Sequence, residues 1–210
     1  GLAAAGASIV IAARDQQKTG QAVKKLEKSG TNVISTTTDV SNEISVRQMV
    51  KTTLDRFGAI DILVNNAGTT VRKAPQEYTL EEWNHVFDVN MTGTYLSARE
   101  AYLPMVENGG GKIINIGSMT SIFGSDWVSA YAATKGGVVQ LTKSLAVAWA
   151  KDNIQVNSIL PGWIHTNLTS AIRTGSPERY DFITSRIPNG RWGEPADLSG
   201  TAVFLASTAS

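Results

Sequence analysis

Short apolar runs alternate with longer amphipathic stretches along this chain. Ser8–Ala13, SIVIAA, is apolar almost without interruption, the pattern of a strand covered on both faces. Asn32–Thr38 is rich in β-branched residues and reads as the next strand. Ile60–Val64, Lys112–Gly117 and Ile154–Leu160 predict three more. Between them lie helical patterns. One runs from Asp15 to Ser29 with Ala22, Val23 and Leu26 as its inner stripe. A second is capped by Ser41 or Asn42 and ends at Phe57, where Gly58 stops it. A third opens on the capping box Thr79-x-x-Glu82 and ends before Gly109. The fourth spans Trp127–Lys151, and Pro195 starts the last, which reaches about Ser207. Gly1–Ala7 reads as the tail of a helix closing on Gly6, and 166–191 as loop and short helix. This order predicts an α/β fold: a doubly wound parallel sheet, helices on both faces, in a single domain over 1–210. Such sheets bind ligands at the carboxyl ends of their strands. Arg14, Asp39, Asn65, Ser118 and Pro161-Gly162 each follow a predicted strand directly.

Composition narrows the function. The chain has 210 residues, 42% hydrophobic and 18% charged, which suits one soluble globular domain with a sizeable core. A net charge of +1 gives no reason to expect nucleic acid or an anionic membrane as partner. The absence of cysteine excludes disulfides, thiol nucleophiles and thiolate metal sites, and fits a cytoplasmic protein. No apolar run approaches the length of a membrane span. His85 and His165 have no partners at metal-ligand spacing, so no metal is expected.

The stretch Ser118–Lys135, SMTSIFGSDWVSAYAATK, carries the chemistry. Tyr131 and Lys135 stand one helical turn apart and share a face. A phenol titrates near ~10 in water. An ammonium at ~4 Å contributes roughly 4 kcal/mol at an effective dielectric of about 20. That is about three pKa units, enough to bring the phenol near neutral pH, where general acid–base catalysis works best. Ser118 can then orient a substrate oxygen. By itself the pair is weak, because Tyr-x-x-x-Lys arises by chance in roughly one such chain in four.

The rest of the chain raises its weight. Asp39-Val40, Asn65-Asn66-Ala67-Gly68, Asn90 within VNMTG, Gly117-Ser118, Tyr131-x-x-x-Lys135 and Pro161-Gly162 occur in an order and spacing that resembles the short-chain dehydrogenase/reductase family. The resemblance covers essentially the whole chain and implies a Rossmann-type fold and hydride transfer to or from a nicotinamide. It implies that Tyr131 is the acid/base and that Lys135 lowers the tyrosine pKa and holds the nicotinamide ribose. Ser118 would bind the substrate oxygen, and Asn90 would support a water leading from Lys135. Asn is a poor helix former, so a kink or bound water is expected around Asn90. Asn65, Ala67 and Gly68 would approach the adenosine ribose. Asp39, with Val40, would meet adenine. Pro161, Gly162, Ile164 and Thr166 would lie by the nicotinamide carboxamide.

Cofactor preference follows from charge. Sites for NAD place an acid after the second strand, whereas an arginine there suits a 2′-phosphate. This chain reads Ala13-Arg14, which predicts NADP(H), with NAD(H) as the alternative because Asp15 can reach the ribose or neutralise Arg14.

The family begins with a strand and a glycine-rich pyrophosphate turn, and ends with a further strand. Neither is in this sequence, so a gapped sheet, a partial chain and poor folding and cofactor binding by these residues alone are expected. The segment 166–191 is the expected substrate lid. Arg173, Arg179, Arg186 and Arg191 outweigh Glu178 and Asp181 there, which suits an acidic substrate. Stretches such as GGKIINIGSM and RIPNGRWGEPADL resemble the gluconate and deoxygluconate dehydrogenase branch, which implies a sugar acid or polyol. The oxoacyl-carrier-protein reductase branch, acting on 3-oxoacyl thioesters, is the alternative. A non-catalytic dinucleotide-binding or scaffold protein is the alternative outside enzymes. Members of the family commonly form homotetramers or homodimers through their two long helices.

Overall fold

The computed structural model describes residues 1–210. Five parallel strands form: β1 Ile9–Ala13, β2 Val33–Thr37, β3 Ile62–Asn65, β4 Gly111–Ile116 and β5 Ile154–Ile159. The helices are α1 Gln16–Glu27, α2 Glu43–Phe57, α3 Leu80–Phe87, α4 Gly93–Glu107, α5 Ser129–Trp149, α6 Ser170–Gly175, α7 Pro177–Ser185 and α8 Ser199–Ala206. Strands and helices alternate as expected from the apolar pattern.

Local chemistry sets the boundaries. Asp15 caps α1 by accepting from the Lys18 amide, and Asn42 caps α2 by accepting from Ser45. Gly58 closes α2 with φ of 79°, a left-handed conformation cheap only for glycine. The Thr79–Glu82 capping box forms with both reciprocal hydrogen bonds, at 3.0 and 3.1 Å. Trp127 lies before α5 rather than within it, because the chain there is still in the turns that follow β4.

The expected long helix from Thr79 is two helices. A π-turn at Asp88–Thr92 separates α3 from α4 and contains Asn90, where the sequence predicts a kink. Gly93 then brings α4 against the loop after β2, since a Cβ there would lie 2.6 Å from Val40 Cγ2.

The sheet is in two pieces, β1-β2 and β3-β4-β5. A cavity of about 900 Å³, lined on one side by β1 and on the other by β3, lies between them. The expected gap is thus present, with two unpaired edges facing it. Every residue of β1 is only half-buried, because its outer edge borders the cavity.

The main core lies beneath the intact part of the sheet. Val46, Met49 and Val50 of α2 and Ala98, Ala101 and Met105 of α4 pack there with β4 and β5. Leu145 joins them from α5. A smaller cluster of Ile172, Ile183 and Trp192 holds α6 and α7 together. Trp192 is a packing residue, as expected, and Trp83 and Trp149 stack on Phe87 and Tyr102.

Ile113 is fully buried in the central strand of the three-stranded piece. Ile113→Ala should therefore cost about 2–5 kcal/mol, read as a lower urea midpoint at unchanged slope.

Candidate active site

Ser118 leaves β4 in an extended conformation and caps the short turn Met119–Ser121. Its Oγ accepts from the Thr120 amide at 3.1 Å and from the Thr120 hydroxyl at 3.0 Å. Tyr131 stands in the first turn of α5, half-buried, and close enough to Ser118 for the serine to favour its charged form. Lys135, one turn on, is buried. Ser121 joins the two elements: its Oγ donates to the Lys135 carbonyl at 2.8 Å and accepts from the Ser118 amide at 3.1 Å.

Asn90 is fully buried and uses its amide in three directions. Oδ1 accepts from the Thr69 amide at 2.8 Å, and Nδ2 donates to the Thr69 carbonyl at 2.9 Å and to Thr134 Oγ1 at 3.0 Å. Thr134 in turn donates to the Tyr131 carbonyl at 2.8 Å. Gly68 passes over the same point, where a Cβ would lie 3.5 Å from Asn90 Oδ1 and 3.7 Å from Lys135 Nζ. Asn90, Ser118, Tyr131 and Lys135, expected together from the family resemblance, are joined through one hydrogen-bonded neighbourhood.

The electrostatics differ from the sequence expectation. Lys135 Nζ donates to the Ile116 carbonyl at 2.6 Å and lies 5.6 Å from the Tyr131 ring centroid. Burial lowers the ammonium pKa from 10.5 to about 8. The Tyr131 phenol is raised above its ordinary value by burial, opposed by Ser118 and by the charge of Arg72. The expected depression of Tyr131 by Lys135 is thus corrected in direction. Desolvation wins because the ammonium is turned towards a backbone carbonyl and is itself desolvated.

The expected cofactor residues fall into two groups. Arg14, Asp39, Val40, Asn65, Ala67 and Gly68 all line the cavity between the sheet pieces. Asp39 Oδ1 accepts from the Ser41 hydroxyl at 2.6 Å and the Ser41 amide at 3.0 Å. The Ser41 hydrogen bond, with Arg14 adding a smaller effect, holds its carboxyl below the usual range. Asp15 is committed elsewhere, to the Lys18 amide at 3.0 Å and the Lys18 ammonium at 3.2 Å. Arg14 forms no ion pair and keeps its guanidinium exposed. The Asn65 side-chain amide turns inward, donating to Asn115 Oδ1 at 2.9 Å, while Asn66, Ala67 and Gly68 stay exposed. Asn115 continues the chain to Thr142 at 2.9 Å, so Asn65 braces β3 against β4 and α5.

Pro161, Gly162, Ile164 and Thr166 lie outside that cavity, after β5. The Pro161 carbonyl accepts from the Met119 amide at 2.9 Å, which places it beside the Ser118 turn. Ile164 pairs with Gly193, and the Thr166 amide donates to Thr169 Oγ1 at 3.0 Å.

Two residues escaped the sequence reading. His165 lies 2.6 Å from Glu194 and 3.2 Å from the Tyr180 hydroxyl, and its ring stacks on Trp192. It ties the segment after Pro161-Gly162 to α7. Arg72 is half-buried, donates to the Leu168 carbonyl at 2.6 Å, and sits 5.5 Å over Trp127. The available signal for Arg72 was its place four residues after Gly68.

Together, fold and site define a dinucleotide-dependent oxidoreductase. Residues 1–210 match the family described as enoyl-(acyl carrier protein) reductase. The chain belongs to the short-chain dehydrogenase/reductase family, NAD(P)-dependent oxidoreductases that act on CH–OH groups. It is 40% identical over 211 residues to a 2-dehydro-3-deoxy-D-gluconate 5-dehydrogenase of Formosa agariphila, covering 100% of this chain and 80% of that protein. A 5-keto-D-gluconate 5-reductase of Escherichia coli K12 is 39% identical, with 100% and 82% covered. The crystal structure of a gluconate 5-dehydrogenase from Burkholderia cenocepacia, in complex with NADP and tartrate, matches with a TM-score of 0.94 at 38% identity, covering 100% of this chain and 82% of that one.

Lys135 gives a test of the site's electrostatics. Its pKa is lower folded than unfolded, so the unfolded chain binds the proton more tightly between pH 8 and 10.5. Stability is reduced below about pH 8 and recovers as pH rises towards 10.5. Measured against Lys135→Met by urea unfolding without cofactor, the wild type should gain up to roughly 3 kcal/mol over that range. A pH-independent difference would show that burial does not penalise the ammonium.

Proposed function

We propose that this protein interconverts a secondary alcohol and a ketone on a sugar acid, with NADP(H) as redox partner and Tyr131 as general acid/base. The observation that carries this reading is the convergence of Ser118, Tyr131, Lys135 and Asn90 beside the carboxyl ends of β3 and β4. Arg14 at the end of β1, with Asp15 committed to Lys18, suits a 2′-phosphate better than a ribose hydroxyl. The relatives named for gluconate chemistry, and the NADP and tartrate bound by the Burkholderia enzyme, support the same reading.

The fit of a dinucleotide rests on this chain's own donors. Arg14 would hold the 2′-phosphate, Asp39 the adenine, and Ala67 and Gly68 the adenosine ribose, all from the turns that follow β1, β2 and β3. Pro161, Gly162, Ile164 and Thr166 would flank the nicotinamide end, and the Lys135 ammonium would reach its ribose. When bound, the dinucleotide supplies or accepts the hydride.

Ser118 and Tyr131 bracket the substrate oxygen by hydrogen bonds. With its pKa raised, the Tyr131 phenol is protonated at neutral pH and ready to donate to a ketone oxygen as it becomes alkoxide. In the opposite direction the phenol must first lose its proton. Asn90 and Thr134 hold the backbone of this turn, so the phenol stays aimed. The segment 166–191 serves as the substrate lid, hinged where His165 meets Glu194 and Tyr180.

The protein works in the cytoplasm and assembles through α4 and α5, where Tyr95, Leu103 and Val147 remain exposed. Sedimentation should then show a dimer or tetramer that Val147→Asp weakens; a monomer at micromolar concentration would reject this assembly.

Turnover should be seen with NADP(H) and a keto- or hydroxy-sugar acid at a higher kcat/KM than with NAD(H) or with a 3-oxoacyl thioester. Tyr131→Phe should lower kcat by about 10²–10⁴ while NADPH still binds by fluorescence titration. Oxidation should need a more alkaline pH than reduction, because it begins from the deprotonated phenol. Preference for the acyl thioester would replace the sugar acid by that substrate.

A further inference from the structure

Ser118 uses every polar group but one within its own turn. Its amide donates to Ser121 Oγ at 3.1 Å, and its carbonyl accepts from the Ser121 amide at 2.9 Å. Its Oγ accepts from the Thr120 amide at 3.1 Å and from the Thr120 hydroxyl at 3.0 Å. A hydroxyl has two lone pairs and one proton. Both lone pairs are therefore taken, and the proton alone is left for whatever enters the site. Ser118 is buried, so exchange of these partners for bulk water is disfavoured.

The Thr120 hydroxyl adds little to the turn itself. The Thr120 amide already meets Ser118 Oγ, and the Ile122 amide closes the turn on the Met119 carbonyl at 3.1 Å. Thr120 Oγ1 has no other partner and delivers a second hydrogen bond to the same serine oxygen. Its branched Cβ restricts the rotamers from which it does so. The effect is on direction. Without that hydroxyl, one lone pair of Ser118 Oγ is free, and the serine can turn to accept from the Tyr131 phenol. An accepting serine favours the neutral phenol and competes with a ketone oxygen for its proton. A donating serine favours the phenolate and a developing alkoxide. Ser118 acts on Tyr131 in the donating sense, against the rise caused by burial.

We infer that Thr120 is a positioning residue: by filling the second lone pair of Ser118 Oγ, its hydroxyl commits the Ser118 proton to Tyr131 and the substrate oxygen. This rests on the reading above of Ser118 and Tyr131 as the pair that meets that oxygen. Thr120 acts through Ser118 and has no need to touch the substrate.

The test compares Thr120→Val, which keeps the shape and the backbone amide but removes the hydroxyl, with Thr120→Ser, which keeps the hydroxyl. The first readout needs no substrate: ultraviolet titration of tyrosinate in the NADP-loaded protein, with Tyr131→Phe subtracted to isolate Tyr131. Thr120→Val should raise the midpoint by about 0.5 to 1 on the pH scale, and Thr120→Ser should leave it near the wild type. The second readout is reduction of 5-keto-D-gluconate by NADPH. There Thr120→Val should lower kcat about three- to tenfold with KM changed less than about twofold, and Thr120→Ser should recover the rate. An unmoved midpoint would overturn the inference, as would equal effects of the two variants. Loss of NADPH binding in Thr120→Val, read by fluorescence, would assign the hydroxyl to the fold and overturn it too. A raised midpoint in a protein that reduces no sugar acid would leave the inference standing and reject the proposed reaction. Sugar-acid turnover with midpoint and kcat both unmoved in Thr120→Val would do the reverse.

Discussion

The side-chain amide of Asn90 is the joint on which the site depends. It has no solvent exposure, and its hydrogen bonds run to the backbone on either side of Thr69 and to Thr134. Those three directions belong to the loop after β3, the π-turn between α3 and α4, and the first turns of α5. A buried amide must satisfy its donors and acceptor or cost free energy, and here the only partners within reach are on elements distant in sequence. The π-turn is what aims it: a regular helix through Asp88–Thr92 would place the same side chain elsewhere around the axis. From that joint follow the position of Gly68 over Lys135 and the orientation of the turn that carries Tyr131.

Desolvation explains the protonation states better than pairing does. Buried Lys135 titrates near 8 and the Tyr131 phenol is raised, so neither group keeps the charge it would carry in water as readily. The ammonium donates to the Ile116 carbonyl. The charge that does act on the phenol belongs to Arg72, from a different loop. The region that carries the chemistry is therefore poised for proton donation.

The expected cofactor residues stand at the carboxyl end of the break in the sheet. β1 and β3 each leave one edge unpaired, and the loops that follow β1, β2 and β3 open on the cavity between them. Arg14, Asp39 and Gly68 converge there because parallel strands deliver their carboxyl ends to one side of the sheet. The intact piece, β3-β4-β5, supplies the rigid floor under Ser118 and Pro161, and its polar brace from Asn65 through Asn115 to Thr142 leaves no buried side chain unpaired.

The sequence by itself determined the order and type of elements, since apolar runs such as Ile154–Leu160, the Thr79–Glu82 box and the stops at Gly58 and Gly109 are local signals. It also put Tyr131 and Lys135 on one helical face and Ser118 at a strand end, because spacing on a helix and position after a strand translate directly into shared faces and ends, whereas Asn90 entered only through the resemblance to the family. What tertiary structure alone decided are the quantities that depend on contacts between distant segments. The sign of the Tyr131 shift follows from how much water the fold removes. The inward turn of Asn65 follows from Asn115, fifty residues away. The stacking of Arg72 and Arg179 on Trp127 joins three stretches that no period or spacing relates, because only packing brings their side chains to one ring.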